Sequence, residues 1–207
     1  DVPDRQRCGP GAERVTDTLT AKWNECYRRA SPESPEPATV LADGAHLLPT
    51  AGRALDLACG EGGSALFLAR RGIDVTARDI SAVAVDRLRA RAHVEGLRLT
   101  AEVTDIERLP WPPDHYDVIV VSRYLQRALA PAIMASLNPG GLLFYQTFTA
   151  NKQPGIGPTN PNYLLSDNEL LDLFRGLKVR FYREDARCGN AAFGRRNEAY
   201  FVGQKPC

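Results

Sequence analysis

The segment Leu55-Asp56-Leu57-Ala58-Cys59-Gly60-Glu61-Gly62-Gly63-Ser64 limits what this chain can fold into more than any other. Residues 53–57 read as a buried strand that ends in a turn of small residues and passes directly into a helix over 65–70. Glycines at 60 and 62 allow a sharp reversal and a close approach where a Cβ would clash. The first N–H groups of the next helix have no intrahelical partner, so such a turn forms a nucleotide or carboxylate site. A second acid, Asp79, ends the next strand (74–77) and falls 19 residues after Gly60. At that spacing a carboxylate meets the ribose hydroxyls of a bound nucleoside. The pair of signals carries far more than the glycines alone.

A helical pattern over 18–30 places Leu19, Trp23, Cys26, Tyr27 and Ala30 on one face. Residues 1–15 are polar with Gly and Pro, and are expected to fray. Pro32, Pro35 and Pro37 stop the helix. A second helix, 38–48, turns Val40, Leu41, Ala45 and Leu48 inward. From there the chain alternates: strand 53–57, helix 63–71, strand 73–77, helix 81–93 capped by Ser81, strand 97–103, strand 116–121, helix 124–137 and strand 141–147. Strand 116–121 is continuously apolar, as a strand covered on both faces should be. After a Gly/Pro/Asn-rich loop (149–165), Ser166 and Glu169 have capping-box spacing and open helix 167–175. Strands 177–184 and 198–204 close the chain without a helix between them, which predicts an antiparallel hairpin at one edge. The alternation before them predicts a parallel sheet with helices on both faces. Residues 51–207 form the core, and residues 1–50 belong to the same domain as a tail and lid helices.

A length of 207 residues suits one domain with a full core. The net charge of +1 gives no global attraction to nucleic acid or an anionic membrane. No run approaches the roughly 18 apolar residues that a membrane span needs. The five cysteines (8, 26, 59, 188, 207) are odd in number and scattered, which argues against a disulfide framework or zinc site. Residues 1–7 lack a secretory h-region, and the scattered cysteines make a reducing cytoplasm the expected location. Cys59 reads as a small space-filler, with no histidine near it in sequence to activate it. His46, His93 and His115 have no ligand spacing, and no metal is expected.

That order of elements, with those residues at the strand ends, resembles the class I S-adenosylmethionine-dependent methyltransferases. Residues 55–62 are similar to the family's first motif, with Ala58 in place of its first glycine. Asp79 matches the ribose-binding acid, Asp105 the acid facing the adenine amine, and Ile106 the residue against the ring. Asn138-Pro139-Gly140-Gly141 is similar to the turn before the fifth strand. The likeness is close over 53–147 and looser in the tail. Residues 23–28, 122–127 and 160–163 are similar to a bacterial small-molecule branch related to tellurite methyltransferases.

The resemblance implies a Rossmann-like, doubly wound α/β sheet of seven strands, order 3-2-1-4-5-7-6, with strand 7 antiparallel. It implies S-adenosylmethionine as cofactor and S-adenosylhomocysteine as product. Asp56 would order the methionine amino end and Ser122 line the methionine moiety. Ala58, Cys59, Gly60, Gly62, Asp79, Ile80, Asp105, Ile106, Trp23 and Arg28 complete the implied cofactor contacts. Arg123 and Tyr27 fall on the acceptor side. Trp23 and Tyr27 equally suit a core helix; the lesser alternatives are that Asp79 favours the following helix start through its charge and that Asp105 caps a helix or turn.

Methyl transfer is an in-line SN2 displacement with a neutral leaving group, so a protein contributes mainly proximity, alignment and a dry site. The segment after the fourth strand, Ser122-Arg123-Tyr124-Leu125, lacks the Asn/Asp-Pro-Pro-Tyr pattern used on planar nitrogens. DNA adenine and glutamine methylation are therefore disfavoured, and a small-molecule acceptor is expected. Arg123, Arg187, Arg195 and Arg196 either favour an anionic acceptor or are solvated surface charges. Ala186-Arg187 lacks the histidine of the His-Arg pair in tellurite methyltransferases, so tellurite is not carried over as substrate. The rival readings are a non-catalytic cofactor-binding module and an NAD-dependent oxidoreductase, because Gly60, Gly62 and Ala65 also fit the dinucleotide fingerprint. RNA methylation would need a basic face or an added binding domain.

Overall fold

The computed structural model describes residues 10–30 and 34–207. Seven strands form one sheet: β1 (Arg53–Leu57), β2 (Asp74–Asp79), β3 (Leu99–Val103), β4 (Tyr116–Ser122), β5 (Leu137–Phe148), β6 (Lys178–Arg183) and β7 (Glu198–Gln204). Their order is β3-β2-β1-β4-β5-β7-β6, as the family likeness implies. All pairings from β3 to β5 are parallel, and β7 runs antiparallel between β5 and β6. The helices are α1 (Pro10–Arg29), α2 (Thr39–Asp43), α3 (Gly63–Ala69), α4 (Ala82–Val94), α5 (Ala130–Ser136) and α6 (Glu169–Leu173).

The period-two alternation of strands divides the core into two layers. Ala54, Val118, Val120, Phe144 and Val202 pack against α2, α3 and α4. Leu55, Leu57, Ile119, Val121, Leu143, Tyr145 and Phe201 pack against α5 and α6. The same parity sends Asp56, Ser122, Gln146, Phe148, Glu198 and Tyr200 to the α2–α3–α4 side. In register, Ser122 lies beside Gln146, which lies beside Tyr200, and Phe148 lies beside Glu198. The order reverses at the β1–β4 junction, and in open α/β sheets a ligand crevice lies outside the strand carboxyl ends at that switch point.

Several boundaries differ from the sequence expectation, each for a local reason. α1 starts at Pro10, so residues 10–15 are helical rather than frayed; proline in a first turn lacks only a donor that would be unpaired anyway. Residues 1–9 and 31–33 lie outside the described residues. On the predicted inward face of α1, Trp23, Cys26 and Ala30 are exposed, because α1 packs on α4 and not on the sheet. The second helix splits at Gly44 into α2 and a 3-10 turn, Ala45–Leu47. A Cβ at Gly44 would stand 2.8 Å from the Phe144 ring, so glycine lets this bend press onto the sheet.

Helix 124–137 contracts to a 3-10 turn (Arg127–Leu129) and α5, since Pro131 must sit at a helix start. β2 runs on to Asp79, and β5 begins at Leu137, with an irregular register between Tyr116 and Val118 of its partner β4. Helix 167–175 shortens to α6 because Asn168 turns left-handed (φ 64°). The reach-back half of the capping box does form, with Ser166 N–H donating to Glu169 Oε2 at 2.8 Å.

Candidate functional site

The turn after β1 alternates left-handed residues: Ala58 (φ 51°), Gly60 (φ 53°) and Gly62 (φ 82°). A left-handed alanine costs roughly 1–2 kcal/mol, so Ala58 carries strain that glycine at that position would relieve. Gly62 N–H closes the turn on Cys59 O at 2.9 Å, and Leu66 N–H begins α3 on Gly62 O at 2.8 Å. Space is as limiting as conformation. A Cβ at Gly60 would stand 2.6 Å from Tyr27 Oη, and one at Gly63 would stand 2.1 Å from the Glu36 backbone oxygen. Glu61 points out of the turn to the α4 guanidinia of Arg87 and Arg91, the latter at 2.9 Å, which fixes the turn against that helix.

Two buried carboxylates flank the turn. Asp79 is 6% exposed; its Oδ2 accepts from Gly60 N–H and its Oδ1 from Ser81 N–H, each at 2.8 Å. Burial pushes its pKa up, while the amides of Ser81, Gly60 and Ile80 oppose that rise. A carboxylate offers about four lone-pair sites, so Asp79 retains capacity for two hydroxyl donors. Asp56 is 2% exposed and its Oδ2 has no hydrogen-bond partner. Burial lifts its pKa to about 8, assisted by the neighbouring Asp79 charge and opposed by the Ala65 N–H. An orphaned buried oxygen is costly unless a donor arrives, and a cationic donor would satisfy it best.

Cys59 donates its thiol to Gly60 O at 3.6 Å, and burial with the Asp56 and Asp79 charges pushes its pKa well up. It is a space-filler rather than a nucleophile. α1 crosses above the turn: Asn24 Oδ1 accepts from Ser81 Oγ at 2.8 Å and Val83 N–H at 3.3 Å. Tyr27 is half-buried over Gly60, with its pKa raised by burial and then by Asp79. The Trp23 ring lies 6.2 Å from that of Tyr27 and is 39% exposed. Arg28 pairs instead with Glu25 on its own helix at 3.4 Å.

Ile80 follows Asp79 half-buried, and Ser81 Oγ caps α4 by accepting from Ala84 N–H at 3.3 Å. Asp105 accepts from Glu107 N–H at 3.1 Å and pairs with Arg108, while Ile106 is buried beside it. Tyr124 O–H reaches Glu107 at 3.2 Å. Ser122 is half-buried at the end of β4.

The far corner, over β4, β5 and β7, is built from side chains. Glu198 is 6% exposed; its Oε1 accepts from Arg123 Nε at 2.8 Å and its Oε2 from Gln146 Nε2 at 2.5 Å and Tyr200 O–H at 3.3 Å. Gln146 Oε1 accepts from Val40 N–H of α2 at 3.0 Å. A carboxylate so buried costs several kcal/mol unless paired, and here its two oxygens are satisfied by three donors. Burial and then Glu198 push the Tyr200 pKa up to about 12. Arg195 pairs with Asp43 and lies 5.1 Å over the Tyr200 ring.

The sequence reading missed Asn24, Glu61, Gln146 and Glu198. Gln146 was detectable as a polar residue inside an otherwise apolar strand; the other three carry no local signal. Among the described residues no cluster of three metal-ligating side chains occurs, and no helix is long and apolar enough to cross a membrane.

This sheet order, with its antiparallel seventh strand and a glycine turn at the switch point, is the fold of the class I S-adenosylmethionine-dependent methyltransferases. Residues 54–141 match the family model described as a methyltransferase domain. Among solved structures, the S-adenosylmethionine-dependent methyltransferase from Mesorhizobium loti superimposes with a TM-score of 0.65 at 18% identity, covering 81% of this chain and 98% of that one. TehB from Haemophilus influenzae gives 0.66 at 19%, covering 88% and 67%. The Coxiella burnetii ubiquinone biosynthesis O-methyltransferase is 31% identical over 102 residues, 47% of this chain and 44% of the relative. "Hemagglutinin 1" of Eikenella corrodens is 41% identical over 96 residues, 43% of this chain and 32% of the relative. The chain thus spans less than half the length of these curated relatives.

Proposed function

We propose that this chain transfers the methyl group of S-adenosylmethionine to a small-molecule acceptor. The observation that carries the reading is Asp79, which joins the amides of Gly60 and Ser81 at the sheet's switch point and keeps lone pairs for a ribose. The residues fit the group: the buried Asp56 Oδ2 lacks the donor an ammonium would supply. Bound there, the cofactor supplies a sulfonium methyl whose departure leaves a neutral thioether.

Asp79 and Ile80 would hold the ribose; Asp105 and Ile106, the adenine; Ala58, Cys59, Gly60 and Gly62, the close face of the turn; Asp56 and Ser122, the amino-acid end. Trp23, Tyr27 and Arg28 belong to the helix lying over the turn, with Tyr27 and Arg123 nearest the acceptor. In-line displacement needs no acid–base pair unless the acceptor must lose a proton, so alignment and water exclusion are the protein's main contribution. Residues 1–50 act as part of one domain with the core, in a cytoplasmic protein. The bacterial small-molecule branch remains the best fit to residues 23–28, with no assignment of tellurite.

The reading is tested by calorimetric titration with S-adenosylhomocysteine, with NADH as the parallel control. Micromolar affinity for the former and none for the latter is expected. NADH binding without S-adenosylhomocysteine binding would replace this reading with the oxidoreductase.

A further inference from the structure

Arg123, Arg187, Arg195 and Arg196 are the sequence's candidates for the acceptor side, and the structure separates them. Arg187 donates to the backbone oxygens of Asn151 and Lys152, at 3.3 and 3.2 Å. Arg196 donates to backbone oxygens of its own connection, among them Asn190 at 2.7 Å. Arg195 is paired with Asp43. These three guanidinia brace loops.

Arg123 is different. It follows the last residue of β4 in a left-handed conformation (φ 54°), with its N–H donating to Gln146 O at 2.7 Å. Its side chain reaches across β5 to β7, where Nε meets the buried Glu198. The guanidinium lies 5.8 Å over the ring of Phe148, the last residue of β5. Its side chain is nevertheless 65% exposed, and its two terminal nitrogens have no partner among the described residues. A solvated surface arginine needs no unfavourable backbone, no buried counter-charge and no ring beneath it. Three restraints on one guanidinium hold its outer edge in a fixed attitude beside Ser122, and a fixed pair of N–H donors matches two oxygens of one anion. Glu198 consumes only the Nε side, so the outer edge remains a donor.

We infer that the outer edge of Arg123, anchored by Glu198 and Phe148, is a subsite for an oxyanion carried by the methyl acceptor. The acceptor class is then a molecule with a carboxylate or similar group near its reacting atom, and Glu198 is a positioning residue. This inference rests on the methyltransferase reading above.

The test uses the full chain saturated with S-adenosylhomocysteine and three probes: benzoate, its neutral counterpart benzamide, and inorganic sulfate. Binding is read by calorimetry and by the Arg Nε signals in 15N spectra. Saturable binding of benzoate or sulfate, at least about tenfold tighter than benzamide, is expected; the tighter of the two distinguishes an organic carboxylate from an inorganic oxyanion. Arg123→Lys keeps a charge for Glu198 but offers no second donor pair, and should weaken that binding at least tenfold with S-adenosylhomocysteine affinity unchanged. The double variant Arg123→Gly, Glu198→Gln removes the guanidinium without leaving an orphaned carboxylate, and glycine suits the left-handed backbone. It should lose the anion preference while remaining folded. Equal binding of benzoate, sulfate and benzamide, or wild-type anion binding by Arg123→Lys, overturns the inference alone. Failure of S-adenosylhomocysteine to bind overturns the functional reading and this inference together.

Discussion

Asp79 and Glu198 are equally buried, and each sits at a strand terminus on the carboxyl edge of the sheet. Asp79 is held by the backbone amides of Gly60 and Ser81; Glu198 is held by the side chains of Arg123, Gln146 and Tyr200. The first arrangement follows from chain geometry, because the turn that exposes the amides also places them. The second depends on three residues far apart in sequence choosing compatible rotamers. One half of the crevice is therefore set by backbone, and the other by side chains that substitution can change.

That contrast is sharpest in ligand affinity. Asp79→Ala should weaken S-adenosylhomocysteine binding by about 2–3 kcal/mol, roughly 30- to 150-fold, through loss of charge-assisted bonds. Glu198→Gln, at the same burial, should leave that affinity within about twofold. Calorimetry on both variants checks the pair, and equal losses would dissolve the distinction between the two halves.

Stability comes next. Gly63→Ala places a Cβ 2.1 Å from the Glu36 backbone oxygen, where no side chain can swing away, and so pushes residues 34–38 off the start of α3. The bond from Ala38 N–H to Ser64 Oγ would go with it. A loss of about 2–3 kcal/mol in denaturant unfolding is expected; a loss under about 0.5 would mean that this segment yields freely.

The smaller change in cofactor affinity is the one that depends on pH. The Asp56 carboxyl, with its pKa at about 8 in the fold, keeps a proton that the unfolded chain releases near pH 4. The folded state thus binds more protons across that window, and this group's contribution to stability falls as pH rises from 4 to 8. A ligand ammonium prefers the ionised form, so cofactor binding should release a proton. Affinity should then rise about fivefold from pH 7 to 8, and Asp56→Asn should flatten the slope. Identical binding enthalpies in buffers of different ionisation heat would exclude proton release.

The same division explains what the sequence revealed. Gly60, Gly62 and Asp79 act through local conformation, and their spacing alone set them around one ligand site, while Ser81 was legible as the cap of α4. The strand–helix alternation and the missing final crossover pointed to a parallel sheet closed by an antiparallel hairpin, and the strand order came from the family likeness. Helix ends were harder: Pro131 and Asn168 set them by single-residue conformations that the apolar periodicity does not register. The network around Glu198 was invisible, since Arg123, Gln146, Glu198 and Val40 meet only once four elements have packed. Trp23 and Cys26 misled for a related reason: an apolar stripe says that a helix packs, not how deeply.

Asn24 and Tyr27 of α1 lie on the start of α4 and on the glycine turn, while Trp23, Cys26, Arg28 and Arg29 face solvent. A surface helix with so many exposed residues opens more often than the buried sheet beneath it. If α1 covers the bound cofactor, as the proposed function implies, the dwell time of spent product would follow how often α1 lifts from Gly60. The grip of Asn24 on the start of α4 would then bear on the molecule's pace, and accumulated product would slow it simply by keeping that cover shut.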